Sequence, residues 1–159
     1  MKNLDFRWLV CLLIFLNVSC AASNNILETK EKFETVFLDA VTKELKFDQA
    51  IPESIKSKIK KWFDDKVKVD GLEGKAILII NDYAEEITNL DSGKRIDIKI
   101  NFSIIIENKS SSNKILVSGK VSAFGSLTGT FSLSEFDNLV SNTQNDLILR
   151  LSRDLSDNF

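Results

Sequence analysis

The chain has 159 residues, 43% of them hydrophobic and 28% charged, with eleven Phe and a single Pro; these values belong to a globular protein and exclude a disordered one. Its 21 basic residues stand against 23 acidic ones, a net charge of −2, so no cationic excess exists to hold nucleic acid or anionic headgroups. Histidine is absent, which removes Ser-His-Asp and Cys-His mechanisms, His-bound zinc and the usual proton shuttle.

The N-terminus reads as a targeting segment. Behind Lys2 and Arg7, the stretch Trp8 to Cys20, WLVCLLIFLNVSC, is apolar and closes on small residues and a cysteine. Its apolar part, about 11 residues, suits a signal h-region and falls short of the roughly 20 needed to span a bilayer as a helix. Val18-Ser19-Cys20 resembles the end of a lipobox, whose cysteine receives a thioether-linked diacylglycerol before cleavage in front of it; Asn17 stands where that motif usually has Leu. The expectation is a signal peptide over residues 1–19 and lipidation at Cys20. The alternatives are a secreted chain cut after Ala21, with Ser19 and Ala21 as the small residues, and a cytoplasmic chain with a greasy N-terminus. One acyl chain gives only marginal, reversible membrane binding, whereas two or three hold a protein permanently. Cys11 would be discarded and Cys20 acylated, which leaves no thiol for an internal disulfide or for catalysis.

Without residues 1–19, which hold Lys2, Asp5 and Arg7, 140 residues remain with 19 basic and 22 acidic side chains, a net charge of −3. That length suits one domain. Residues 20–32, CAASNNILETKEK, are polar and small and read as a tether. Phe33 to Lys43, FETVFLDAVTK, is rich in aromatic and β-branched residues and reads as a first strand. Pro52 then opens a helix in which Ile55, Ile59, Trp62, Phe63 and Val67 recur at helical spacing, opposite Lys56, Lys58, Lys60, Lys61, Asp64 and Asp65. Asp70-Gly71 and Gly74 supply the stop.

Lys75 to Ile87, KAILIINDYAEEI, begins apolar on both faces and then becomes mixed, as a strand does when it emerges from a core. In Arg95 to Glu107 the alternation is nearly strict. Ile96, Ile98, Ile100, Phe102, Ile104 and Ile106 point one way, and Asp97, Lys99, Asn101, Ser103 and Glu107 the other; only Ile105 breaks the polar row. After the turn cluster KSSSN, Ile115, Val117, Val121 and Ala123 resume the pattern, which predicts an antiparallel hairpin. Gly119, Gly125 and Gly129 permit bends or a bulge. In SLSEFD, Ser132 with Glu135, or Ser134 with Asp137, can cap a last helix along which Phe136, Leu139, Val140, Thr143, Leu147, Leu151 and Leu155 follow at three- and four-residue steps.

The predicted order is β-α-β-β-β-α: a single α+β domain over residues 33–159, an antiparallel sheet of about four strands with both helices on one face. The other face, with Lys99, Asn101 and Ser103, is free to meet something.

Trp62 late in the first helix, the string DKVKVDGLEGKAILIINDYAEEI with its acidic end at Glu85-Glu86, and the helix start SLSEFD together resemble a group of small, uncharacterised alphaproteobacterial lipoproteins. More distantly, the element order and long C-terminal helix are similar to the lipopolysaccharide-assembly lipoprotein that plugs an outer-membrane barrel, and to auxiliary lipoproteins of envelope ABC transporters. The resemblance implies an envelope lipoprotein with no known active site. Ala21 after the lipidated cysteine, by analogy with lipoprotein sorting, favours the outer membrane, facing the periplasm.

No constellation for chemistry emerges from the residues. The carboxylate pairs Asp64-Asp65 and Glu85-Glu86 consist of adjacent residues, whose side chains diverge on a helix or strand, so they read as solvated charges rather than a glycosidase pair. The glycine spacing lacks the Gly-Lys-Ser/Thr ending of a phosphate loop. Lys56, Lys58, Lys60 and Lys61 read as a solvated helix face, with a contact to lipid phosphates as the alternative; Trp62 and Phe63 read as core anchors, with an exposed docking site as theirs. The expectation is a non-enzyme with no metal and no cofactor, bound to the membrane through Cys20 and to an envelope protein partner, in outer-membrane assembly or lipid transport. The alternative is a lipid carrier holding acyl chains between sheet and helices.

Overall fold

The computed structural model describes residues 33–48, 50–107 and 114–159. They belong to the compact unit Glu31–Phe159, and the first 32 residues lie outside the description. The elements in chain order are β1 (Val36–Leu38), β2 (Thr42–Phe47), α1 (Glu53–Lys66), β3 (Val67–Val69), β4 (Lys75–Leu90), β5 (Gly93–Glu107), β6 (Lys114–Thr128) and α2 (Leu133–Asn158). A four-stranded sheet has the order β2-β4-β5-β6, and β1 with β3 makes a separate two-stranded one. The expected α+β architecture, about four main strands with two helices on one face, is the one the chain adopts.

The predicted first strand over 33–43 divides in two. Val36, Leu38 and Ala40 alternate into the core, but the chain turns at Asp39–Val41 and restarts as β2. Gly71 packs on that turn: its N–H donates to the Ala40 carbonyl at 3.1 Å, and a Cβ there would lie 2.4 Å from the Ala40 nitrogen. Only glycine permits the approach. The sequence of β2, TKELKF, has low strand propensity, and what makes it a strand is its ladder with β4 from Thr42↔Lys75 to Phe47↔Ile80. That ladder is parallel, whereas β4-β5-β6 is antiparallel throughout. The chain reaches β4 from β2 only through α1, and a helical crossover of this kind returns a strand in parallel.

The long strands form the body of the sheet. β5 pairs with β6 without a slip from Gly93↔Thr128 to Glu107↔Lys114, so the glycines of β6 make neither the bend nor the bulge expected of them. They face α2 instead. A Cβ on Gly119 would meet the Phe102 ring at 2.5 Å, and one on Gly125 would meet Thr143 Oγ1 at 2.5 Å and Leu139 Cδ1 at 2.7 Å. The two glycines are smooth ground on which the helix seats.

The bulge is in β4. The β4-β5 register shifts between Ile80 and Asp82, leaving Asn81 as the extra residue. Before it, Ala76, Leu78 and Ile80 face the helices opposite Ile106, Ile104 and Phe102; after it, Tyr83, Glu85 and Ile87 do, opposite Ile100, Ile98 and Ile96. The apparent change of character in KAILIINDYAEEI is thus a change of phase, since the side period of a strand is two.

Both helices pack on this face. Ile55, Ile59, Trp62 and Phe63 of α1 and Leu147, Ile148, Leu151 and Leu155 of α2 are buried in one cluster with the inward residues of the sheet. The α2 N-terminus is closed by a capping box: Ser132 Oγ accepts from the Glu135 N–H at 3.2 Å, and a Glu135 carboxylate oxygen accepts from the Ser132 N–H at 2.6 Å. Of the two caps the sequence allows, this is the one formed, and its hydrogen bonds hold the Glu135 carboxyl below its ordinary range. Near the other end, Ser152 Oγ donates to the Glu34 carbonyl at 3.1 Å, tying the helix to the first described residues.

Candidate functional site

The residues with potential chemistry are scattered. Trp62 and Phe63 are core, as expected of anchors, and Trp62 Nε1 is buried without a hydrogen-bond partner among the described residues. Glu85 lies on the helix side and accepts from the Tyr83 hydroxyl, whose own pKa is raised by burial and then by that carboxylate; Glu86 lies on the opposite side, across from Asp97. Asp65 pairs with Lys61 at 2.7 Å while neighbouring Asp64 does not share it. No group of acidic, Cys or His side chains able to hold a metal ion occurs among the described residues.

The four clustered lysines of α1, Lys56, Lys58, Lys60 and Lys61, do not act together. Lys56 sits 3.7 Å from Glu53 and 5.7 Å from the centre of the Phe47 ring, Lys61 is bound to Asp65, and Lys60 is exposed. Lys58 departs from the expected solvated face. It donates to the Ser141 hydroxyl at 2.9 Å and its carbonyl at 3.1 Å, joining α1 to α2, and burial lowers its pKa.

A fifth lysine, not singled out by its sequence context, does more. Lys43 reaches from β2 to the end of α1, where Nζ donates to the carbonyls of Phe63 at 2.8 Å, Val67 at 2.6 Å and Asp64 at 3.3 Å, and lies 4.7 Å from the centre of the Phe63 ring. A cation here answers the orphan carbonyls and the negative end of the helix dipole. Desolvation, followed by the neighbouring Lys68, lowers its pKa. A groove of about 340 Å³ runs beside it, lined by Leu45, Phe47, Lys56, Lys60, Phe63 and Asp64.

The sheet face turned away from the helices is the surface best suited to a partner. Lys99, Asn101 and Ser103 lie on it as predicted, together with side chains from three more strands. Asn81 Nδ2 donates to Ser103 Oγ at 2.8 Å, and Lys75 bridges to Glu44 at 2.5 Å. Ile105, the residue that breaks the polar row of β5, stands between Ile77 and Leu116. The three make an apolar bar across the strands, running from Ile77, 9% exposed, to Leu116, 61% exposed. Farther along, Phe124 is 60% exposed opposite Asp97. The Arg95 guanidinium lies 4.6 Å from the centre of its ring while donating twice to the Asp97 carboxylate, at 2.6 and 2.7 Å. Those bonds hold the Asp97 pKa below its usual range. Leu116 and Phe124 were missed in the sequence, although a signal existed: with Val117, Val121 and Ala123 inward, alternation puts both on the wet side.

Cys20, the signal peptide over 1–19 and the tether over 20–32 lie outside the described residues. No described helix is long and apolar enough to cross a membrane.

This architecture, a mixed four-stranded sheet with two helices on one face, is a fold of solved bacterial lipoproteins. A minor lipoprotein from Acinetobacter baumannii has it at 16% identity, with a TM-score of 0.52 over 74% of this chain and 91% of that one. The rare lipoprotein B from Shewanella oneidensis has it at 12% identity, with a TM-score of 0.51 over 74% and 95%. The hypothetical protein CT253 from Chlamydia trachomatis matches at 9% identity and 0.50, over 75% and 96%. At these identities the likeness is one of fold. No protein-family model and no curated protein sequence matches the chain.

Proposed function

We propose that this chain is a lipid-anchored, non-catalytic protein of the cell envelope that holds a protein partner against the open face of its sheet. In the favoured setting it is attached through Cys20 to the outer membrane, faces the periplasm and serves outer-membrane assembly or lipid transport. The carrying observation is that face: Leu116 and Phe124, 61% and 60% exposed, stand among paired charges on a rigid sheet. Apolar anchors inside a polar surround are the usual anatomy of a protein-binding surface. The N-terminal stretch ending at Cys20, the absence of histidine and the shared fold with solved lipoproteins support the same reading.

The carrier alternative has less support. Acyl chains need a mainly apolar lining free of charge, whereas among the described residues the groove beside Lys120 carries Arg150, Arg153, Asp154 and Asp157, and the one beside Lys43 mixes Leu45, Phe47 and Phe63 with Lys56, Lys60 and Asp64.

Mass spectrometry of the mature N-terminus tests the anchor: a diacylglycerol increment on Cys20 is expected, and an unmodified N-terminus at Ala21 or beyond would refute it. For the partner, the intact chain carrying a photo-crosslinker at Phe124 should join one reproducible envelope protein. Crosslinks that are absent, or that survive Leu116→Asp unchanged, would defeat the reading.

A further inference from the structure

The two edges of the sheet are finished differently. The β2 edge is six residues long and carries Lys43, Glu44 and Lys46, a short, charged edge of the sort that resists further pairing. The β6 edge is fifteen residues long, about 50 Å at the usual rise. It has no proline, no slip in register, and only Lys114 and Lys120 as charges. Among the described residues no strand pairs with its outer side.

The groove beside this edge, about 320 Å³, brings Lys120, Val121 and Ser122 of β6 against Arg150, Arg153, Asp154 and Asp157 of α2. Arg150 is committed to Asp146 at 3.0 Å. Lys120, Arg153, Asp154 and Asp157 have no ion pair among the described residues, so two cations and two anions remain side by side on the flank of the edge. A surface meeting a partner of one charge needs the opposite charge only, whereas a surface meeting itself across a twofold axis must carry both.

We propose that the outer edge of β6 pairs antiparallel with β6 of a second copy of this chain, making one eight-stranded sheet with all four helices on the same side. The symmetric choice of axis is the middle of β6. Asp154 lies over Gly119, with its carboxylate 2.9 Å from where a Cβ would stand, two residues short of that middle, so an axis at Val121 sets each Asp154 about 13 Å along the strands from its own counterpart. With the axis at Val121, Lys120 faces the second copy's Ser122, Phe124 faces Ser118 and Leu116 faces Ser126, and no like charges oppose. On the helices, Arg153 and Asp157 are one turn apart and lie toward each other's opposite sign in the second copy. This pairing uses the edge of the sheet rather than its open face, and it stands apart from the partner reading above.

The test is the mass of the full chain in mild detergent by sedimentation or light scattering, with circular dichroism to verify that each variant is folded. At about 100 μM, well above a micromolar Kd, the chain should have twice its single-chain mass. The doubly acidic variant Lys120→Glu/Arg153→Glu and the doubly basic variant Asp154→Lys/Asp157→Lys should each be monomeric, and an equimolar mixture of the two should recover the dimer. A wild-type chain that stays monomeric overturns the proposal, even if a strand from another protein occupies the edge. So does a dimer that survives charge inversion, as one held together by shared detergent would.

Discussion

Along β5, the side turned to the helices buries Ile96, Ile98, Ile100, Phe102, Ile104 and Ile106 at 2% exposure or less, while the side turned away presents Arg95, Asp97, Lys99 and Asn101. The same backbone thus serves two purposes. The inner row is close-packed and intolerant of changes in volume, whereas the outer row holds its polar groups by local pairing and leaves Phe124 and Leu116 uncovered. Stability is concentrated on one side of the sheet, and the partner proposed above would sit on the other. Substitutions on the two sides should therefore separate folding from binding.

The largest effect is expected from the inner row. Phe102→Ala should destabilise the domain by about 3–5 kcal/mol, through lost burial and the cavity left behind, measured by urea unfolding. A loss below 1 kcal/mol would break the comparison at its base. Next comes the seat of α2: Gly125→Val should cost about 1–3 kcal/mol, because the new side chain meets Thr143 and Leu139. Adding the same bulk on the outer side of β6, as Ser122→Val, should change stability by no more than about 0.5 kcal/mol.

Lys43→Met should destabilise by about 1–2 kcal/mol, since it strips the carbonyls at the end of α1 of a charged donor. Hydrogen exchange should then quicken in the last turn of α1 more than in α2. On the outer side, Phe124→Ser should shift stability by about 0.5–1 kcal/mol at most, the worth of an exposed cation–π contact. It should nevertheless abolish partner capture.

The smallest effect concerns pH. The Glu135 carboxyl has a folded pKa below its ordinary 4.5, so the unfolded chain takes up its proton first as pH falls. The cap's contribution is therefore full above that value and is lost as pH drops through the folded pKa. The gap in thermal midpoint between wild type and Glu135→Gln should be small at pH 7 and narrow progressively as pH falls below 4.5.

Much of this could be read directly from the residues. The alternation in Arg95–Glu107 announced both faces of β5, the 3.6-residue rhythm announced both helices, and Ser132 with Glu135 announced where the second begins. What escaped was non-local. TKELKF has no strand signal of its own, and it is a strand because β4 lies beside it. The glycines of β6 suggested bends, but the helix that needs them empty is contributed by residues more than ten positions away. The candidate surface was half legible: Lys99, Asn101 and Ser103 were placed correctly, while the apolar bar through Ile105 needed two neighbouring strands in register.

Periodicity, capping chemistry and composition act within a few residues of one another, so the sequence alone determined which segments are helices or long strands, which sides they bury, and that histidine-based chemistry is closed to this chain. The parallel edge, the phase change at Asn81, the service of Lys43 to a helix twenty residues away and the mixed-charge flank of β6 depend on which segments come to lie together. That juxtaposition is set by the packing of the whole core, and only the tertiary structure decided it.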